Sequence, residues 1–179
     1  MKIFKKNKTK FFLNFIFPKI INFRLFKNLI RKKKIVHGLY VWKFKQGYFK
    51  NRRINWKIKN SEGGGLINFY LIHVFYNLLF LVGEFKIKRI SYKKEKILTK
   101  IVIFVKSKNN YEIKIDININ SKSNLHKISF VDNKNTYEVI NKSKNWVQNF
   151  NIYNNKKLIK KDNNIHSRED LTYLNLKML

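Results

Sequence analysis

Residues 66–82, LINFYLIHVFYNLLFLV, carry no charged side chain, although the chain holds 40 Lys and Arg among 179 residues. Read as a helix, this run is apolar nearly all round, which predicts burial on most sides. Gly63, Gly64 and Gly65 open it and Gly83-Glu84 closes it, so half of the six glycines stand in one row. Glycine lets the backbone take a positive φ or approach another group closely. Gly83 suits the position just past a helix end. At 17 residues, with Asn68, His73 and Asn77 inside it, the run is at the short edge of what spans a bilayer. The expectation is a buried core helix and no membrane association.

The segments around it are patterned differently. Met1 to Lys10 is a basic leader without periodicity. Phe11 to Phe17 reads as a strand. Pro18 suits a helix first turn, and Ile20, Ile21, Phe23, Leu25, Phe26, Leu29 and Ile30 recur mostly at helical spacing with Lys19, Arg24, Lys27 and Arg31 outside. Arg31 to Lys34 then places cations at the helix C-terminus, where they are favoured. Gly38 precedes a strand, Leu39 to Gln46, in which Tyr40, Trp42 and Phe44 share one face. Residues 47–54, GYFKNRRI, read as a basic loop with aromatics that can stack on a base or sugar ring.

After Glu84 the period changes from helical to two. Tyr111, Ile113, Ile115, Ile117 and Ile119 alternate with Glu112, Lys114, Asp116, Asn118 and Asn120, so one face is buried and the other wet. Strands are expected at Phe85–Tyr92, Ile97–Val105, Tyr111–Ile119, Leu125–Asp132 and Thr136–Asn141, arranged as an antiparallel meander. Trp146 to Tyr153 reads as a further strand, Asn154 to His166 as polar loop and Arg168 to Leu179 as a short helix. The whole is one α+β domain over residues 11–179, a mostly antiparallel sheet with helices packed on one face.

Composition narrows function less than the net charge of +30 suggests. Such a charge points to nucleic acid or an anionic surface. Yet the chain has no alanine, and Lys, Asn, Ile, Phe and Tyr dominate it; these are residues of A/T-rich codons, so nucleotide bias also explains the lysine. Nucleic-acid binding is expected to be non-specific at most. With no cysteine there is no disulfide and no thiolate metal site. His37, His126 and His166 form no spaced pair with each other or with a carboxylate, so no metal site is expected. Without alanine there is no Ala-x-Ala cleavage site, and the expected location is cytoplasmic.

Trp56-Lys57, the triple glycine, His73 four residues beyond Phe69, and Gly83-Glu84 together resemble the segment opening the C-terminal-domain helix of the Gfo/Idh/MocA family of NAD(P)-dependent sugar oxidoreductases. The family's pattern sets an Asp four residues after the glycines; here Phe69 stands there, with Asn68 beside it. The resemblance implies the substrate-binding and oligomerisation half of such an enzyme. His73 is then the catalytic counterpart, helping to move a hydroxyl proton; the alternative is a structural His satisfied inside a buried helix, against Asn77 one turn on. Asn68, Phe69, Trp56, Lys57 and Gly63 to Gly65 are the candidate substrate-binding residues.

The family's dinucleotide-binding half, marked by G-x-G-x-x-G after a strand, has no counterpart in the sequence, nor has its Glu-Lys-Pro motif. The resemblance therefore implies that this chain binds no cofactor alone, that NAD or NADP belongs to a complete family enzyme, and that the partners are a separate Rossmann-domain chain, a sugar and, through the sheet, a second copy. Two rival readings stand beside it: a basic RNA- or ribosome-binding protein, and a small membrane-anchored protein.

Overall fold

The computed structural model describes residues 16–51, 56–59, 62–94, 97–144 and 148–163. Its centre is an eight-stranded sheet. In chain order, α1 (Ile21–Ile30) leads into β1 (His37–Lys45), and the short α2 (Gly47–Asn51) follows. A wide helical turn at Leu66–Leu71 continues as α3 (Ile72–Val82). The remaining strands are β2 (Phe85–Lys94), β3 (Leu98–Ser107), β4 (Glu112–Asn118), β5 (Asn120–Val131), β6 (Thr136–Asn141), β7 (Asn151–Asn154) and β8 (Lys157–Lys160).

Sheet order is β2-β3-β4-β1-β5-β6-β7-β8. The sequence led us to expect a meander after α3. The structure instead forms two, β2-β3-β4 and β5 to β8, with β1 inserted between them. β1 runs parallel to β4 (Tyr40↔Ile115, Trp42↔Ile117) and antiparallel to β5 (Tyr40↔Ile128, Trp42↔His126). All other pairings are antiparallel. A mostly antiparallel sheet with helices on one face is thus the observed architecture.

The alternation along β4 does what its period requires: Ile113, Ile115 and Ile117 are buried, while Glu112 and Lys114 face water. Tyr40 and Trp42 join that face from β1, with Ile101, Ile103 and Val105 from β3 and Ile128 and Phe130 from β5. Gly38 is required here, because a Cβ at that position would lie 2.8 Å from the Phe130 ring. Over this face lie Phe23 and Phe26 of α1 and Val74, Leu78 and Leu81 of α3, all buried. Lys27 closes the seam between the helices with its ammonium 4.3 Å from the centre of the Phe80 ring.

Four local expectations need correction. Phe17 begins a turn of 3-10 helix, Phe17–Lys19, rather than ending a strand; Pro18 presets that turn, and residues 11–15 of the expected strand lie outside the described residues. The loop at residues 47–54 opens as α2, its Gln46 side chain accepting a hydrogen bond from the Tyr48 backbone N–H at 2.7 Å. The polar stretch after Asn154 contains β8, made possible by Asn155 and Lys156 at positive φ in a tight hairpin turn.

The fourth correction concerns α3, whose enclosure stops short on one side. The sheet and α1 take one side and one flank, leaving Ile72, Tyr76 and Leu79 exposed in a stripe at helical spacing. Absence of charge marked this helix as apolar, not as enclosed. Among the described residues no helix is long and apolar enough to cross a membrane. The expected C-terminal helix at Arg168–Leu179 lies outside the described residues.

Candidate functional site

The triple glycine acts through close approach. A Cβ on Gly64 would fall 1.9 Å from the backbone oxygen of Trp56, so only glycine lets this turn lie against the 3-10 turn Trp56–Ile58. The Gly64 N–H donates to the Lys59 carbonyl at 2.9 Å, and Gly63 and Gly65 take φ of 76° and 84°. The chain therefore folds back on itself just before the helix starts. This brings Trp56 edge-on to Phe69, ring centres 5.1 Å apart, and sets the Lys57 ammonium 5.3 Å from the Phe69 ring centre. The spacing of Trp56-Lys57 to the glycines and on to Phe69 has a geometric meaning: it builds one corner.

The helix does not begin as an α-helix. Leu66–Leu71 is a π-turn, closed by i→i+5 hydrogen bonds, which is rare and recurs at functional sites. Phe69 and Tyr70 lie in it, and His73 follows in the first turn of α3. The Phe69 and His73 rings meet edge-on at 5.6 Å. Phe17 lies on the other side of His73 at 6.4 Å.

Lys57, Phe69, Tyr70 and His73 line one wall of a cavity of about 360 Å³. Trp42 and Phe44 of β1 and His126 of β5 form its floor, and Asn141, Ser143 and Lys144 a further wall. Trp42 is stacked on His126 (5.0 Å, 15° between planes) and edge-on to Tyr70 at 5.8 Å. Burial pushes the Tyr70 phenol up to about 12, against a smaller opposing influence of the Gln46 side chain, so it stays protonated and able to donate.

Beneath the floor runs a buried polar chain. Asn77, one turn beyond His73 on α3, donates from Nδ2 to the Tyr40 hydroxyl at 3.1 Å, and that hydroxyl contacts His126 Nε2 at 2.9 Å. Burial raises the Tyr40 phenol well above its ordinary value and lowers His126 to about 3. His126 is therefore neutral, and Tyr40 keeps its proton. With Tyr40 accepting from Asn77, its own O–H is free to donate to Nε2. The other ring nitrogen, Nδ1, is buried without a hydrogen-bond partner.

The candidate residues separate in this geometry. Phe69, Lys57 and His73 converge on the cavity. Gly64 and Gly65 are buried in the turn that positions them, and Trp56 packs behind Phe69 rather than lining the space. Asn68 is exposed and does not line the cavity. No carboxylate is among the described lining residues, whose titratable groups are imidazole, lysine and phenol. Among the described residues no group of His, Cys, Asp or Glu is placed to hold a metal ion.

Sequence reasoning missed the floor. Trp42 and Phe44 were visible as one face of a strand, but the Trp42↔His126 pairing joins residues far apart in the chain, and no local pattern announces it. The wall at Asn141 to Lys144 was equally silent. There Asn141 accepts from the Ser143 N–H at 2.7 Å and Oγ–H at 2.8 Å, fixing the loop after β6.

A dinucleotide does not fit the glycine turn. A pyrophosphate cradle needs open backbone N–H groups between a strand and a helix N-terminus. Here the Trp56 carbonyl occupies the space beside Gly64, and the turn follows a 3-10 segment rather than a strand.

No family model matches the sequence, and no curated protein does. Solved structures match well. An oxidoreductase from Thermotoga maritima aligns with a TM-score of 0.71 at 14% identity, over 93% of this chain and 50% of its own. The WlbA dehydrogenase from Bordetella pertussis, solved with NADH and UDP-GlcNAcA, aligns with 0.68 at 14% identity, over 99% and 52%. D-galactose-1-dehydrogenase from Rhizobium etli aligns with 0.73 at 9% identity, over 97% and 54%. The fold is that of the C-terminal domain of Gfo/Idh/MocA oxidoreductases. This chain spans about half the length of the structures it matches.

Proposed function

We propose that this chain is the sugar-binding half of a Gfo/Idh/MocA-type oxidoreductase and that it works with a dinucleotide-binding half carried elsewhere. The observation that carries the reading is the cavity itself: His73, Phe69 and Lys57 meet there, over an aromatic floor set by Trp42. Rings stack on the apolar face of a pyranose, while the Lys57 ammonium and the Tyr70 hydroxyl can hydrogen-bond its hydroxyls. His73 is the one imidazole of the wall and takes the proton-handling role; Phe69 supplies contact where a carboxylate base would supply chemistry. On this reading the isolated chain binds sugar and transfers no hydride.

The test is an NMR titration with a panel of hexoses, hexuronates and glycosyl phosphates, following the His73 ring and the Trp42 indole. Saturable shifts at both, lost in Trp42→Ala with the fold retained, are the expected result. No response at either group across the panel overturns the reading.

A further inference from the structure

β2 is an edge strand: it pairs with β3 and has no strand on its other side among the described residues. Its pairings Ile87↔Val105, Ile90↔Ile103 and Tyr92↔Ile101 set three apolar side chains beside buried core residues, so all three stand on the helix-covered side of the sheet. A register shift at Lys88 keeps Ile87 and Ile90 on that same side. Yet no helix among the described residues reaches them. Ile87 is 48% exposed, Ile90 50% and Tyr92 68%.

The outer stripe of α3 is exposed as well, with Ile72 at 46% and Leu79 at 47%. Phe75 and Phe85, ring centres 5.5 Å apart, bridge helix and strand. The two open surfaces thus form one apolar corner between α3 and β2, of the kind that marks an interaction site.

The charges around it select the occupant. On the opposite face of the same edge Lys86 lies directly across from Lys106, a like-charge pair that is unfavourable in isolation, while Lys106 has Glu112 of β4 on its other side. Lys88 and Lys108 join them around a groove of about 550 Å³. Its single acidic lining residue, Glu84, lies 3.9 Å from the Lys108 ammonium. Lysines on an edge strand guard against pairing with a like copy. With a net charge of +30, a second copy would bring lysine against lysine. The same lysines attract an acidic segment.

We infer that β2 is a docking edge for an acidic partner protein, which adds an extended segment as a ninth strand. Its apolar side chains cover Ile87, Ile90 and Tyr92, and its carboxylates lie over Lys86, Lys88 and Lys106. Main-chain hydrogen bonds along the free edge supply affinity, and the alternation of acid and apolar residues supplies selectivity. The inference is independent of what the cavity binds.

A labelled peptide of alternating valine and glutamate, matched to β2 in length, tests this by fluorescence anisotropy at physiological salt. The alternating valine–lysine peptide is the control. Hydrogen exchange across residues 86–93 locates the site. Saturable binding of the acidic peptide is expected, with slowed exchange in β2 and affinity about ten-fold weaker in both K86E/K106E and Ile90→Asp. Equal binding of the lysine peptide, or unchanged affinity in K86E/K106E, overturns it. So does a dimer in sedimentation that Ile90→Asp dissociates, which gives the corner to a second copy. Protection of β2 by phosphatidylserine vesicles but not by the peptide gives it to a membrane surface and equally overturns the proposal.

Discussion

The backbone oxygen of Trp56 occupies the space that a Cβ on Gly64 would need, 1.9 Å away. One backbone contact thereby fixes the corner in which Lys57 reaches over Phe69 and Phe69 meets His73.

Gly64→Ala should therefore separate the Trp56–Ile58 turn from the helix start. The obstructing atom is backbone, which cannot swing aside as a side chain does. We expect a loss of about 2–4 kcal/mol in chemical denaturation and loss of any sugar response at the cavity. Gly47→Ala, where a Cβ meets nothing within 4 Å, is the matched control and should stay within about 0.5 kcal/mol of the parent.

Much of this fold was legible in the chain. The period-two run of β4, the helical spacing from Ile20 to Ile30 and the uncharged run at 66–82 each announced an element, because burial of one face leaves its period in the sequence. The boundaries of β6 were read correctly. What stayed hidden was non-local. Insertion of β1 between β4 and β5 depends on pairing partners, not on β1 itself. The exposure of Ile72, Tyr76 and Leu79 depends on what lies above α3. The site divides the same way. Lys57, Phe69 and His73 were named through the family resemblance, which one segment carries, whereas the floor needed Trp42 and His126 from two strands. Asn68 illustrates the limit of local geometry: it neighbours Phe69 in sequence but faces out of the π-turn.

His126 predicts a pH dependence. Burial holds it near 3 in the folded chain, against 6.5 unperturbed. Between these values the unfolded chain takes up a proton that the folded one refuses. Folding stability is thus full above about pH 6.5 and falls as pH drops toward 3, by up to about 1.4 kcal/mol per unit from this group. His126→Gln, which keeps a polar side chain beside Tyr40, should flatten the slope in denaturation curves recorded at pH 7 and pH 5.

The isolated chain should show no saturable binding of NAD(H) or NADP(H) in titration calorimetry, since the Gly64 turn is filled by the Trp56 carbonyl. Micromolar affinity for either would contradict the assignment of the cofactor to another half. Nucleic-acid binding, driven by the +30 charge, should fall steeply between low and physiological salt as counterions are released. Sequence-selective binding that survives physiological salt would favour an RNA-binding role instead.

Phe69→Asp asks whether the missing carboxylate is what separates this cavity from a working dehydrogenase site. The substitution removes ring contacts to Trp56 and Tyr70 at 5.1 and 4.9 Å, at a cost of about 1–3 kcal/mol. In exchange it places a carboxylate beside His73 and within reach of the Lys57 ammonium, which limits the penalty of charge in a half-buried place. With a dinucleotide-binding chain of the matched fold supplied in trans, we expect turnover of a bound sugar to rise from background in Phe69→Asp. It should not rise in Phe69→Asn, which has the same shape without the charge. Equal activity in both variants would show that polarity or space, not a base, was lacking. A folded Phe69→Asp that binds sugar and stays inactive with the partner present would remove His73 from the catalytic role.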